Sequence, residues 1–260
     1  MTDARASDGA TMRGKAALVT GGGTGIGRAA ALGFAKKGAS VMLAGRRRAE
    51  LDAVVAEIID RGGKAAAMRT DITVESDVVA LVDGTLERFG RLDAAFNNAA
   101  ASDGGLIETL TTADFDRVMT TNVRGVWLLI RQEVKAMRAL RHGGTIVNTS
   151  SIAATGGNAG LSIYGASKGA LDTMIRHVAL EVGGDGIRIN NVSPGLTRTP
   201  MTAGMPDELF EAVRNHTPLK RIAEPDDVGD VAVWLCTDEA RFVTGQSIVV
   251  DGGYNIAGTR

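Results

Sequence analysis

Short apolar runs alternate with longer stretches of helical spacing from Lys15 to near the end of the chain. The runs Ala17-Leu18-Val19, Val41-Met42-Leu43, Ala94-Ala95-Phe96, Thr145-Ile146-Val147, Ile187-Arg188-Ile189 and Ser247-Ile248-Val249-Val250 have the length and composition of buried strands. A further run, Ala65 to Met68, is alanine-rich and a poor strand former by itself, but the alternation requires a strand there. Strand and helix repeated in this order predict parallel strands joined by right-handed crossovers. The expected fold is therefore α/β: a Rossmann-type, doubly wound parallel sheet of about seven strands with helices on both faces. Ligands in such sheets gather at the carboxyl ends of the strands.

Residues 1–13 are small and polar and follow no hydrophobic period, so they are expected to form a flexible leader ahead of a single domain spanning 14–260. A chain of 260 residues, 44% of them hydrophobic, can bury one large core and leaves little for a second. Formal charge is nearly balanced, with 29 Lys+Arg against 30 Asp+Glu, which argues against a broad basic face for nucleic acid or an anionic membrane. Binding is then local, and a small molecule in a pocket is the expected partner. Met1-Thr2-Asp3-Ala4-Arg5 lacks the apolar core of a signal peptide, and stretches such as Val126 to Ile130 are too short to span a bilayer. The lone cysteine, Cys236, follows the apolar run Val231 to Leu235 and fits a buried, inert thiol in a reducing cytoplasm.

The first apolar run leads directly into Thr20-Gly21-Gly22-Gly23-Thr24-Gly25-Ile26-Gly27, followed by the helical Arg28 to Ala35. Glycine lets backbone approach a pyrophosphate closely, and the free amides at a helix start attract its charge. A plain flexible turn would also be glycine-rich, but the strand-turn-helix setting favours the phosphate reading. The spacing of Gly21, Gly25 and Gly27 is G-x-x-x-G-x-G rather than G-x-G-x-x-G.

Later strands also end in polar or special residues: Asp71-Ile72, Asn97-Asn98-Ala99-Ala100, Ser150-Ser151 and Pro194-Gly195. Four such ends, brought to one edge by a parallel sheet, line a crevice. Asn122 lies on the helix after the fourth strand of the sheet, the one that ends at Asn97-Asn98. The most informative stretch is Tyr164-Gly165-Ala166-Ser167-Lys168, at the start of a long helix running to Gly183-Gly184. Residues four apart share a helix face, so the Lys168 ammonium can lie near the Tyr164 phenol and favour its ionised form. That arrangement suits a general acid/base for an alcohol or carbonyl. An isolated pair at this spacing is often only a surface pair. Ser151, at a strand end thirteen residues before Tyr164, could donate a hydrogen bond to a substrate oxygen gaining charge, or could simply cap a turn.

Together, Asn122, Ser151, Tyr164 and Lys168 resemble the catalytic tetrad of the classical short-chain dehydrogenase/reductase family. The resemblance runs from about Lys15 to Tyr254 and includes the glycine motif, Asn97-Asn98-Ala99, Pro194-Gly195 with Thr199, and Asp251-Gly252-Gly253. It implies an NAD(P)-dependent oxidoreductase moving a hydride between nicotinamide and an alcohol or ketone. Tyr164 would exchange the proton with the substrate oxygen, Lys168 would lower the tyrosine pKa and bind the nicotinamide ribose, and Ser151 would polarise the substrate oxygen. Asn122 would hold a water linking Lys168 to solvent. The cofactor would meet Gly21, Thr24, Gly25, Ile26 and Gly27 at its phosphates, and Asp71 and Ile72 at the adenine. Asn98 would line the cofactor ribose and Thr199 would meet the nicotinamide carboxamide, with Ala99, Pro194, Gly195 and Thr197 as further cofactor contacts. The family also implies a homotetramer whose helices carrying Asn122 and Tyr164 pack against partner copies.

Cofactor choice rests on the end of the second strand, Ala44-Gly45-Arg46. An acid at the position of Gly45 would bind ribose hydroxyls and repel a 2′-phosphate, whereas Arg46 offers a forked donor suited to that phosphate. NADP(H) is therefore expected ahead of NAD(H), although Arg46 lying flat on adenine would serve both. The segment 196–220, with Met201 and Met205, reads as a lid. With Ile152, Ala153, Asn158 and Leu161 it would wall an apolar pocket for a small or medium, largely uncharged substrate. His142, His177 and His216 have no metal-ligand spacing, and no metal site is expected. Two other readings share the fold. A non-catalytic dinucleotide sensor would be expected to lack the Tyr or Lys, and a nucleotide-sugar epimerase or dehydratase would be expected to carry a larger C-terminal substrate domain.

Overall fold

A computed structural model describes residues 11–257. The strands are β1 (Ala16–Thr20), β2 (Ser40–Gly45), β3 (Lys64–Arg69), β4 (Ala94–Asn97), β5 (Gly144–Thr149), β6 (Ile187–Pro194) and β7 (Ser247–Val250). The helices are α1 (Gly25–Lys36), α2 (Arg48–Asp60), α3 (Glu75–Phe89), α4 (Thr112–Met119), α5 (Val126–Leu140), α6 (Ser162–Val182), α7 (Asp207–His216) and α8 (Pro225–Leu235). All seven strands are parallel, in the order β3-β2-β1-β4-β5-β6-β7. This is the doubly wound Rossmann-type sheet expected from the alternation.

The period of two along each strand divides the core. Ala17, Val19, Val41, Leu43, Phe96, Val147 and Val192 face α1, α2 and α8, where Phe34, Leu51, Ile58 and Val233 pack on them. Leu18, Met42, Ala95, Ile146 and Ile189 point the other way, against Leu81 of α3, Leu129 of α5 and Leu171 and Ile175 of α6. Alanine-rich β3 is a strand because its whole length pairs with β2, from Ser40↔Lys64 to Gly45↔Arg69, and this pairing overrides a weak local preference. Strand order reverses between β1 and β4, whose carboxyl ends lie side by side at Thr20↔Asn97. Crossovers leave these two strands in opposite directions, which opens the crevice at this switch point.

Two boundaries differ from expectation. The leader falls mostly on residues 1–10, outside the described residues, but Met12, assigned to it, is fully buried against the α1 side of the core and its amide donates to Lys37 O at 2.8 Å. An apolar side chain that close to β1 is more stable inside than in water, so the ordered chain includes it. The helix carrying Asn122 is interrupted: α4 passes through a π turn, Thr120–Gly125, before α5 begins. Such a turn inserts an extra residue into the helical ladder and leaves no trace in hydrophobic spacing. Within 196–220 the chain forms α7, none of whose residues is buried.

Candidate active site

The glycine turn is built by close approach. A Cβ on Gly27 would lie 2.2 Å from Gly21 O, and one on Gly21, at φ +65°, would lie 2.9 Å from Asn98 Nδ2. Any side chain at either position would force the loop apart. Thr24 is the N-cap of α1 but makes no side-chain cap bond, and the first turn of α1 carries no acid. The amides and the positive end of the helix dipole are therefore left for an outside anion. The amides that open α1 suit a pyrophosphate, whereas those of Gly21 and Gly22 are taken by Ala44 O at 2.8 and 3.3 Å and brace the turn against β2. Gly25, at φ +52°, packs directly on the segment after β6, since its Cβ would lie 3.2 Å from Thr199 Cβ. Thr199 itself is tied down by Thr202, whose hydroxyl accepts from Thr199 N at 3.1 Å.

At the β2 end, burial alone would raise the Asp71 carboxyl, but two bonds from Thr73 and the nearby charges of Arg46 and Arg69 outweigh it and hold the pKa below the usual range. Arg46 is exposed and lies within electrostatic reach of Asp71, so both sequence-selected residues belong to one end of the crevice. Ile72 turns its side chain into the core beside Gly125, leaving only its main chain to face a ligand. Arg47 donates to Thr24 Oγ1 at 3.4 Å and pairs with Glu50 at 2.7 Å. A second cation therefore stands where the glycine loop itself supplies none, and only the approach of β2 to that loop reveals it.

Asn98 joins three strands. Its amide and that of Ala99 donate to Thr20 Oγ1 at 3.0 and 3.2 Å, its Nδ2 to Thr20 O at 3.3 Å, and its Oδ1 accepts from Thr149 Oγ1 at 3.1 Å. Beyond β5, Ser150 is buried and donates to Lys168 O at 3.3 Å, whereas Ser151 accepts from Ala153 N at 3.1 Å and caps the short 3-10 turn Ile152–Ala154. The Ser151 hydroxyl also lies near enough to the Tyr164 phenol to favour its ionised form. Capping and a place at the phenol thus coexist in one side chain. Gly165 lets α6 begin against this turn, because a Cβ there would lie 2.9 Å from Ala153 O. Asn158, Leu161 and Ile152 line the same loop, with Leu161 N donating to Asn158 O at 3.2 Å. Met201 and Met205 stand exposed in the segment that precedes α7. Gly195, after β6, packs on Asp251, and Thr197 Oγ1 donates back to Gly195 O at 3.1 Å.

Lys168 is fully buried and its Nζ donates to Thr149 O at 2.6 Å, 5.5 Å from the Tyr164 ring centroid. Burial lowers its pKa to about 8, opposed by the charge of Asp172. Tyr164 departs from the simple expectation of a lowered phenol. Burial raises its pKa, and the nearby Ser151 hydroxyl only partly opposes this. The ammonium donates to a main-chain carbonyl, and desolvation of the phenol wins. The Asn122 side chain is also committed: Nδ2 donates to Ala101 O at 2.8 Å and Ser167 Oγ at 3.0 Å, and Oδ1 accepts from Ala101 N at 2.8 Å.

Of the histidines, His142 faces Asp93 at 3.9 Å and His216 meets Tyr254 edge-on at 4.9 Å. Among the described residues, no group of three or more His, Cys, Asp or Glu could hold a metal, and no helix is long and apolar enough to cross a membrane.

The family model described as enoyl-(acyl carrier protein) reductase matches residues 21–255. The A-factor type gamma-butyrolactone 1′-reductase (1S-forming) of Streptomyces virginiae is 41% identical over 247 residues, covering 92% of this chain and 95% of that protein. The 3-oxoacyl-(acyl-carrier-protein) reductase of Thermotoga maritima is 35% identical over 242 residues, covering 93% and 98%. Among solved structures, a short-chain type dehydrogenase/reductase from Mycobacterium marinum superposes with a TM-score of 0.92 at 33% identity, covering 95% of this chain and 98% of that one.

Proposed function

Because the chain belongs to the short-chain dehydrogenase/reductase family and is an NAD(P)-dependent oxidoreductase of alcohol or ketone groups, we propose that Ser151, Tyr164 and Lys168 carry its chemistry and that NADP(H) is its preferred cofactor. The observation that carries this reading is the convergence of the Ser151 and Tyr164 hydroxyls beside a fully buried Lys168, at the carboxyl edge of the sheet where the glycine turn also opens. When bound, the nicotinamide supplies or accepts the hydride. Tyr164 gives or takes the proton of the substrate oxygen, and Ser151 donates to that oxygen as its charge grows. Lys168, with an ammonium pKa of about 8, is poised to refill the phenol with a proton near neutral pH. With the Asn122 side chain spent on Ala101 and Ser167, any water it holds for the relay is bound through its main chain, in the π turn.

Arg46 and Arg47 support the choice of NADP(H), since two guanidinium groups follow directly on Gly45 at the end of β2 and Gly45 itself carries no acid to repel a 2′-phosphate. The substrate is a small or medium, largely uncharged alcohol or ketone, walled by Ile152, Ala153, Asn158, Leu161, Met201 and Met205. The half-exposed Trp127, beside Met119, Val123 and Met174, forms an apolar strip on the helices carrying Asn122 and Tyr164, which supports a homotetramer. The lone thiol of buried Cys236 supports a cytoplasmic protein. A screen of ketones and secondary alcohols at 340 nm with each cofactor, together with both dissociation constants, tests the reading. Turnover with tighter NADP binding is expected, and tighter NAD binding would remove the cofactor assignment while leaving the enzyme class intact.

A further inference from the structure

Behind the site, three asparagines occupy one register of three adjacent strands. Asn97 of β4 pairs with Asn148 of β5, Asn148 with Asn191 of β6, and Asn191 with Ser247 of β7. All are on the sheet face covered by α5 and α6, where Ala95, Ile146 and Ile189, two residues earlier on each strand, are core. Polar side chains in such a place are costly unless each finds a partner. Here they bond to one another in a single direction. Asn97 Nδ2 donates to Asn148 Oδ1, Asn148 Nδ2 to Asn191 Oδ1, and Asn191 Nδ2 to Asp172 Oδ1, at 3.0, 3.0 and 2.9 Å. Ser247 Oγ adds a second donor to Asp172 Oδ1 at 2.7 Å. Each amide thus aims its positive end toward Asp172, and head-to-tail amides polarise one another in a low-dielectric interior. Asp172 lies one helical turn beyond Lys168 on α6.

We propose that Asp172, fixed in place by Asn191 and Ser247, is a positioning residue that keeps the buried Lys168 ammonium charged for proton relay. This rests on Lys168 having the relay role. The need is physical: Lys168 is fully buried, with a carbonyl rather than a carboxylate as its direct partner, and burial by itself drives an ammonium toward neutrality. Asp172 opposes that drive. The other groups facing this region do not supply the charge. Tyr164, on the same helix, is a raised phenol, and Glu133 of α5, at the far end of the ladder, accepts from Asn97 Nδ2 at 3.0 Å and is pushed by burial up to about 8. Arg176, a turn beyond Asp172, is directed at Thr173. Asp172 is therefore the anion that bears on Lys168, and the ladder accounts for three buried asparagines that the chemistry otherwise leaves unused.

The test is the pH profile of ketone reduction by Asp172→Asn, which keeps an acceptor oxygen for Asn191 and Ser247 and removes only the charge. Without the anion the ammonium loses its proton more readily. The pH at which the rate falls should therefore move down by about one unit, while the rate at pH 6 and the KM stay within about twofold. Asn191→Ala leaves Asp172 charged but releases one of its donors, and should move the profile in the same direction by less. It also serves if Asp172→Asn fails to fold. Profiles superimposable on that of the unmodified enzyme, whatever the overall rate, would overturn the proposal. Lys168→Met separates the two levels: if that variant still turns over, the relay role itself is wrong, whereas an inactive Lys168→Met with an unshifted Asp172→Asn profile removes Asp172 alone.

Discussion

The β1–β2 end of the crevice and the β5–α6 end handle charge in opposite ways. At the first, Arg46, Arg47 and Arg48 are exposed, and Arg48 is matched at the surface by Asp52 at 2.8 Å. At the second, Lys168 and Glu133 are fully enclosed, and burial is the first cause of both pKa shifts. Water and salt screen the first end, so each contact there is worth little and cofactor choice can be re-tuned by single residues. The second end is unscreened, so a proton or a methyl group in the wrong place costs orders of magnitude. On the proposed function, recognition is placed where it is adjustable and chemistry where it is strong.

That contrast breaks first at Tyr164. Tyr164→Phe keeps the ring and removes the proton, and turnover should fall by about 10²–10⁴ with cofactor affinity held. Lys168→Met should match that loss and also weaken the cofactor. Steady-state rates with a fluorescence titration of NADPH check both, and near-normal turnover in Tyr164→Phe would take the phenol out of the mechanism. Next is the register of the two serines. Ser151→Ala should lower kcat by about 10²–10³, whereas Ser150→Ala, which loses only a bond to Lys168 O, should leave it within a few-fold. The reverse ranking would mean that the buried serine is the one that meets substrate.

At the screened end the effects shrink. A charge-assisted bond contributes about 1.5–3 kcal/mol, so Arg46→Ala should weaken NADP binding by roughly 10- to 150-fold, toward the lower figure because the side chain is exposed, and leave NAD nearly untouched. Raising the salt should narrow the gap between Arg46→Ala and the unmodified protein, and a salt-independent gap would contradict a screened contact.

The smallest effect is on stability. Burial raises Glu133 from 4.5 to about 8, so the folded chain binds this proton more tightly than the unfolded chain. Its contribution is complete below about pH 4.5 and is lost as pH rises through 8. Glu133→Gln carries no titrating proton. Its melting temperature relative to the unmodified protein should rise from pH 5 to pH 8, and a difference that stays flat would show that Glu133 is ionised in the fold.

The element pattern, the glycine turn and the Tyr164-Lys168 pair are all legible in the sequence, because each depends on local rules: a period of two or 3.6, backbone freedom at glycine, and the four-residue repeat of a helix face. The strand-end residues are legible as well, since parallel topology brings all carboxyl ends to one edge. What local rules could not provide is whatever depends on two distant segments meeting. Met12 joined the core because α1 and β1 pass beside it, Arg47 became a neighbour of Thr24 because β2 lies next to β1, and the phenol rose rather than fell because the fold buries it. The Asn97, Asn148, Asn191 ladder is the clearest case. Each asparagine is an ordinary residue in its own strand, and only the register between strands, set by how the two faces of the sheet bury their apolar sets, places the three amides in a line ending at Asp172.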